Sequence, residues 1–265
     1  MTALATLTLT TAYVKADDQT DANNQANQES VDYSGEVRIS GKKNLERLAQ
    51  FNYLLQYNLG RDIYPQAVGF SGEKQKINVR YEGDKNNFKV YYSKSKNMEN
   101  FNADKLKGVK TYATLTKKTY ASKDEAQAEV GYHNLETNKI GNKVTMLTQN
   151  QVAVVTKAAG AQTLSWNLGD KWEMQVVGVG QKAKAKAVKY AKKVAKTGLP
   201  SIKGQGVMVL SDEGQVKWYD GKVVYTLKTN TYKVGLSMLQ ALTNPEAQAK
   251  AESSASAASS SSQAE

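Results

Sequence analysis

The chain contains no cysteine and a single histidine, His133, and these two scarcities narrow the chemistry that is open to it. Without cysteine there can be no disulfide, zinc–thiolate site, thiol catalysis or lipid-modified cysteine. A Ser-His-Asp triad would have to use His133, yet no G-x-S-x-G nucleophile turn is present. The metal motifs H-E-x-x-H and D-x-[DN]-x-[DN]-G are also missing. We therefore expect no catalytic residue, no metal site and no cofactor.

Long hydrophobic runs are also scarce, and the sequence offers no segment apolar enough to span a bilayer. Residues 3–13 are apolar or threonine and carry no charge, and Val14 and Ala16 follow in the small-x-small pattern of a cut before Asp17. We interpret residues 1–16 as the remnant of a secretory signal peptide, the alternative being a mildly apolar chain end. The expected location is extracellular or associated with the cell envelope.

Large apolar side chains are absent from both flanks of the chain. Residues 17–30 are polar and acidic, and residues 245–265 are rich in serine and alanine, so both are predicted to be disordered. The ordered body between them divides by pattern into three parts. These are a first α+β unit (31–108), connecting strands with a short helix (109–165) and a second βαββ unit (166–244).

Positive charge is what the chain has in excess. Its 36 lysines and arginines outnumber 25 acids, which gives a formal net charge of +11. This balance favours anionic partners, namely nucleic acid, lipid headgroups or anionic wall polymer, and charge alone does not choose among them. Because the chain is expected to be exported, no nucleic-acid partner is expected in vivo.

The segment GQKAKAKAVKYAKKVAK (180–196) holds seven lysines and no acid. At helical periodicity one arc holds Ala183, Ala187, Tyr190, Ala191, Val194, Val188 and Ala195. Lys184 alone intrudes on this arc, in the first turn. Gly198 and Pro200 predict the end of the helix. The opposite side we call the lysine face: Lys182, Lys186, Lys189, Lys192, Lys193 and Lys196. It is either the solvated side of a core-packed helix or a polyanion-binding surface.

The flanks of this helix predict the fold class. Trp172, Met174 and Val176 alternate with polar residues as in a strand, and QVKWYDGKVVYTLKT (215–229) reads as a hairpin turning at Asp220-Gly221. Residues 109–120 and 143–157 read as further strands, and Ser122 begins a short helix that runs through Val130. The prediction is an α+β fold, a mostly antiparallel sheet with packed helices.

A similar order appears earlier in the chain. A short strand (32–41), a helix with Leu48, Phe51, Leu54 and Leu55 on one side, a strand around 67–70 and a hairpin (77–93) follow one another. We interpret the two regions as degenerate copies of one βαββ unit, and chance agreement between common hairpin patterns is the alternative.

Two weaker patterns leave alternatives open. GVGQK (178–182) follows a predicted strand and begins a predicted helix. It is either an anion-binding loop or a tight strand-to-helix turn. The aromatic residues on predicted strands are either core or a stacking surface for sugars or bases. They are Trp166, Trp172, Trp218, Tyr219, Tyr91 and Tyr92. His133 is expected to lie at a surface or an edge.

The segments WNLGDKWEMQVVG (166–178), the lysine-rich helix, TGLP (197–200) and VKWYDGKVVYTLKT (216–229) together resemble exported, lipoprotein-like proteins of unknown function from lactic acid bacteria. The resemblance implies an extracytoplasmic envelope location in a Gram-positive cell, although the cysteine of a lipoprotein is lacking here. The expected function is that of a non-catalytic envelope protein that binds anionic wall polymer or a membrane surface through the lysine face. The alternative is an extracellular enzyme or inhibitor.

Overall fold

The computed structural model describes residues 33–135 and 142–243, and its regular elements follow the α+β prediction. The helices are α1 (Asn44–Leu59), α2 (Lys123–Val130), α3 (Gly180–Thr197) and α4 (Tyr232–Gln240), with a 3-10 turn at Asp104–Gly108. The strands are β1 (Tyr64–Pro65), β2 (Lys76–Gly83), β3 (Phe88–Ser95), β4 (Thr111–Thr119), β5 (Val144–Thr148), β6 (Gln151–Ala158), β7 (Ala161–Leu168), β8 (Trp172–Gly178), β9 (Gly206–Leu210), β10 (Gly214–Asp220), β11 (Val223–Thr229) and β12 (Leu242–Thr243). The signal-like segment, the spacer and the C-terminal tail predicted from the sequence lie outside the described residues.

Ten of the strands form one sheet in the order β2-β3-β4-β11-β10-β9-β8-β7-β6-β5, and β1 pairs separately with β12. Every neighbouring pair in the large sheet is antiparallel except β8 and β9. Those two are parallel because α3 connects them: it returns the chain to the end of the sheet at which β8 begins, and β9 starts from there. The predicted mostly antiparallel sheet with packed helices is therefore confirmed, and strands from all three predicted parts of the ordered body join it.

The two faces of the sheet are covered differently. We call helix face the one on which α1, α3 and α4 pack, and its apolar side chains form the main core. On β10, Val216 and Trp218 point into this core, while Tyr219 belongs to a smaller cluster with Ala126 and Val130 of α2 on the opposite face. The alternation follows from the two-residue period of a strand. Over the described residues, the opposite face therefore carries one short helix and the helix face carries three.

Several local predictions are confirmed. The side chain of Ser122 accepts a hydrogen bond from the Glu125 amide at 3.1 Å and so caps α2. Helix α1 buries Leu48, Phe51, Leu54 and Leu55 and ends at Gly60, as its pattern predicts. The hairpin of β10 and β11 turns at Asp220-Gly221, where Gly221 has a φ of 58°.

Two predicted strands of the first unit are wrong. Residues 67–70 form no strand, because Gly69 adopts a φ of 79° and lies against Val234 and Met238 of α4. In the segment predicted as a strand over 32–41, the pairing found between described residues is an isolated bridge from Val37 to Phe101. The β2–β3 and β10–β11 hairpins both form, but an internal repeat stays a prediction.

Two of the segments that carry the resemblance, residues 166–178 and 197–200, contact each other. The Trp172 indole N–H donates to the Pro200 carbonyl at 3.0 Å, so β8 holds the segment that follows α3. The indole ring also fills the space beside Gly206, where an added Cβ would lie 2.4 Å from the ring. These tryptophan, proline and glycine positions therefore fix the return from α3 into β9.

Candidate functional site: the lysine face of the long helix

Helix α3 buries a seam of small apolar side chains against β5, β7 and β8. The buried residues are Ala183, Ala187, Tyr190, Ala191 and Val194, as the periodicity predicted. Val188 is half-buried, whereas Ala195, which the periodicity placed on the apolar arc, is exposed. The helix ends where Gly198 takes a φ of 70° and donates its amide hydrogen to the Val194 carbonyl at 2.7 Å. The apolar side of α3 is thus used for packing and leaves no broad apolar stripe on the outside.

Five of the six predicted face lysines are exposed along α3: Lys182, Lys189, Lys192, Lys193 and Lys196. Within the described residues, none of these five makes an ion pair with a carboxylate. Helix α3 carries no acidic residue of its own. The exposed side of the helix therefore carries five lysines without an ion-pair partner among the described residues.

Lys186 does not belong to this exposed group, and its predicted exposure is wrong. Its side chain is only 24% exposed, and its Nζ donates to the Ser211 carbonyl at 2.7 Å. The same Nζ lies 3.7 Å from the Asp212 carboxylate and 5.2 Å from the centre of the Tyr232 ring. Lys186 therefore ties α3 to the turn between β9 and β10. A helical projection shows the direction in which a side chain points, but it does not show that the β9–β10 turn extends far enough to cover it. The sequence could therefore not reveal this contact.

The glycines of GVGQK form a tight strand-to-helix turn. Gly180 has a φ of 54°, and a Cβ on Gly178 would lie 3.2 Å from the Cβ of Ala183. Lys184, which the periodicity placed among the apolar residues, is half-buried and faces the open space beside this turn. The turn alone explains the two glycines without any bound anion.

The sequence missed a polar contact that involves the single histidine. Glu173 on β8 is 1% exposed, and its Oε2 accepts the His133 backbone N–H at 2.8 Å. The Nδ1 of His133 lies 3.2 Å from the same oxygen, and Gln175 donates to Oε1 at 2.7 Å. Asn167 adds hydrogen bonds to the Leu135 amide and the His133 carbonyl. Together these groups hold the segment after α2 on the sheet, and the exposed ring of His133 agrees with its predicted surface position.

A second polar cluster, which is partly buried, lies on the helix face. The carboxylate of Asp62 accepts the Lys117 ammonium at 2.7 Å and a short hydrogen bond from the Tyr225 hydroxyl. Burial, followed by the neighbouring Asp62, raises the pKa of Tyr225 well above its ordinary value. Because a phenol with a raised pKa keeps its proton at neutral pH, Tyr225 is a hydrogen-bond donor here. The cluster anchors the segment after α1 to β4 and β11.

The aromatic residues on the strands are mostly core. Trp166, Trp172 and Trp218 are between 1% and 3% exposed, and Tyr92 and Tyr219 are buried as well. Tyr91 is half-buried on the opposite face, with the Arg80 guanidinium 3.6 Å from its ring centre. Five of the six aromatic residues therefore cannot stack on a ligand in this conformation.

The described residues contain no group of three or more histidine, aspartate and glutamate side chains placed to hold a metal ion. No helix over the same residues has the length and hydrophobicity needed to cross a membrane. Comparison with known proteins adds no relative, because no family model, curated protein or solved structure matches the chain. The five exposed lysines of α3 are therefore the candidate site from which the proposal below starts.

Proposed function

We propose that the protein is an exported, non-catalytic component of the cell envelope that binds anionic wall polymer through the lysine face. The observation that carries this proposal is the row of five exposed lysines on a helix without acids. A helix that only packs on the sheet and exposes its other side to water is more stable when that side carries both signs of charge. Like charges three or four residues apart repel and destabilise the helix. A polyanion removes this repulsion when it lies along the helix.

The polymer is favoured over a membrane because α3 has already buried its apolar seam. A helix that binds a bilayer inserts large apolar side chains into the headgroup region. The seam of α3 consists mainly of alanine and valine and packs on the sheet. The lysine face can therefore offer only electrostatic attraction, which suits a hydrated chain of negative charges.

Export is proposed on the signal-like pattern of residues 1–16 and on the resemblance to exported proteins. High salt should release the protein from the cell wall of the producing cells, with a mature N-terminus at or near Asp17 by mass spectrometry. A protein found in the cytosol with Thr2 retained would contradict this part of the proposal.

An extracellular enzyme or inhibitor is the second candidate. The observation that favours it is the partly buried Asp62, on which Lys117 and Tyr225 converge. Both carboxylate oxygens of Asp62 already have a partner, Lys117 on one and Tyr225 on the other, which suits anchoring better than proton transfer to a substrate. We therefore place this candidate second.

The polymer proposal is tested by binding of purified polyglycerol phosphate to the parent protein and to a triple variant, Lys189→Gln, Lys192→Gln and Lys193→Gln. Glutamine keeps helix propensity, and the three lysines have no carboxylate partner in the described structure, so the variant should fold. We expect binding to weaken by about tenfold or more at low salt, because the charge density on α3 falls. Parent binding should also weaken steeply between about 0.02 M and 0.15 M NaCl, where the Debye length shrinks to about 8 Å.

The matched control removes the same charge from the opposite end of the sheet. Lys74→Gln, Lys85→Gln and Lys96→Gln change three exposed lysines around the β2–β3 hairpin. Polymer affinity should stay within about threefold of the parent if the lysine face is the binding surface. An equal loss in both triple variants would mean that only net charge matters, and unchanged binding by the first variant would refute the proposal. Binding to phosphatidylglycerol vesicles but not to the polymer would replace the polymer with a membrane surface.

A further inference from the structure

A cavity of about 380 Å³ lies on the helix face, between the beginning of α3 and the strands β5, β6 and β7. It is separate from the lysine face, which points away from the sheet. Its walls include the apolar side chains of Val155 and Leu164 and the polar residues Thr145, Gln162 and Gln181. A volume of this size lies within the range of small-ligand sites, about 300–1,000 Å³.

Three lysines line this cavity: Lys143 just before β5, Lys157 in β6 and Lys184 in α3. Lys157 pairs with Gln162 across β6 and β7, and both lie on the helix face because Val155 and Leu164 do. Lys143 is placed beside them by the hydrogen bond from the Val155 amide to its carbonyl, at 2.7 Å. Lys184 reaches the same space from the first turn of α3. The sheet register and the helix thus bring together charges that lie far apart in the sequence.

No carboxylate balances these lysines among the described residues that line the cavity. None of the three makes an ion pair with a described acid. The N-cap residue of α3, Val179, provides no side-chain acceptor for the first-turn amides. Gln162 donates to the Gly180 carbonyl at 2.6 Å and so ties the beginning of α3 to β7, without occupying those amides. The cavity and its lysines carry the inference, and the helix start only adds donors to it.

We propose that this cavity binds the phosphate group of a small phosphate monoester. Three ammonium groups match the two negative charges of a monoester above its second pKa of about 6. A carboxylate carries only one charge, and a neutral sugar carries none. The proposal is independent of the polymer-binding function, since it rests on other lysines and needs only a small dianion.

The test is a titration with glycerol 3-phosphate at constant ionic strength, followed by the backbone amide NMR signals of Gly180, Gln181 and Lys182. We expect saturable, one-to-one binding with shifts confined to these residues and the lining strands. Affinity should rise by about tenfold from pH 5 to pH 7, as the second phosphate proton is lost. Glycerol at the same concentration should cause no shift, and acetate should bind at least about tenfold more weakly, since it carries half the charge.

The double variant Lys157→Gln, Lys184→Gln should weaken glycerol 3-phosphate binding by about tenfold or more while keeping the parent's thermal unfolding midpoint. The triple variant Lys189→Gln, Lys192→Gln, Lys193→Gln is the matched control and should bind within about twofold of the parent, because those side chains face away from the cavity. If the double variant unfolds, the single variant Lys143→Gln replaces it, because Lys143 lines the cavity but is not part of α3; it too should weaken glycerol 3-phosphate binding. Shifts that do not saturate, equal binding of acetate, or unchanged binding by the cavity variants would overturn the proposal. A failure here leaves the polymer experiment unaffected, and the reverse is also true.

Discussion

The side chain of Arg47 shows how one buried charge can organise a region of the molecule. It is 1% exposed and donates hydrogen bonds to the carbonyls of Ile77, Gly41 and Glu99 and to Oδ1 of Asn78, at 2.7 to 3.4 Å. Burial lowers the pKa of Arg47 to about 10, so the guanidinium is still charged at neutral pH. Its planar fork can reach several acceptors at once, which a lysine ammonium cannot do in the same geometry.

We predict that Arg47→Lys lowers the free energy of unfolding by about 2–4 kcal/mol, because several buried acceptors lose their donors. Urea unfolding at pH 7 measures the change. The control is Arg38→Lys, at an exposed position on the segment before α1, where we expect a change below about 0.5 kcal/mol. Equal urea midpoints for the parent and Arg47→Lys would show that the network contributes little to stability.

The sequence alone could not predict this network. Arg47 stands beside Leu48 on an amphipathic helix, a position that predicts neither burial nor exposure for a long charged side chain. Its acceptors on Ile77 and Glu99 lie 30 and 52 residues further along the chain. Only the packing of α1 on β2 brings them together. The same reason hid Glu173 and its contact with His133, which are 40 residues apart.

At the scale of the element, α3 was the most predictable part of the molecule. A strong 3.6-residue period identified its buried seam, and Gly198 marked its end. The predicted strand at 67–70 failed because a short apolar run can pair with a strand or pack on a helix, and here it packs on α4. Of the candidate sites, the lysine face was predictable from the sequence, whereas the lysine cavity depends on strand register.

The uninterrupted charge of α3 has a measurable cost. Lys189 and Lys193, and likewise Lys192 and Lys196, are like-charged neighbours four residues apart, each pair destabilising by about 0.2–0.5 kcal/mol. We predict that the free energy of unfolding of the parent rises by about 0.5–1 kcal/mol between about 0.02 M and 0.15 M NaCl as this repulsion is screened. The triple variant Lys189→Gln, Lys192→Gln, Lys193→Gln should be at least as stable as the parent at low salt and respond less to salt.

The comparison for this prediction is again Lys74→Gln, Lys85→Gln and Lys96→Gln, which lowers the net charge equally but leaves α3 intact. Its salt response should equal that of the parent, as read from urea unfolding at both salt concentrations. If the salt response of the unfolding free energy falls equally in both triple variants, the effect comes from the net charge of the whole chain and not from α3.

At the scale of the whole molecule, the sequence predicted the fold class but not the order of the strands. Strand β4 lies between β3 and β11, pairing Leu115 with Val90 on one side and with Leu227 on the other. Its neighbours come from the first and the last part of the ordered body, so β4 joins the two hairpins into one sheet. Local patterns specify which residues alternate on a strand but not which strand lies beside it.

The core of this sheet also contains buried tyrosines whose ionisation opposes folding. Burial raises the pKa of four tyrosines well above the ordinary value: Tyr64, Tyr92, Tyr112 and Tyr225. The charge of Asp62 adds to the rise in pKa for Tyr64 and Tyr225, and the neighbouring phenol of Tyr92 adds to it for Tyr112. In the unfolded chain these phenols lose their protons near pH 10. The neutral form is favoured by folding, so the stability is fully present below pH 10 and is lost as the pH rises toward the folded-state values.

We therefore predict that each of these tyrosines removes about 1.4 kcal/mol of stability for every pH unit above 10, as measured by urea unfolding at pH 7, 10 and 11. Tyr92→Phe isolates one of them, because the Tyr92 hydroxyl has no hydrogen-bond partner among the described residues. The variant should match the parent at pH 7 and lose stability less steeply above pH 10, by that same amount per unit. Ionising lysines affect parent and variant alike, so the difference reports Tyr92. Parallel stability curves across this range would show that the phenol ionises as freely in the folded protein as in the unfolded chain.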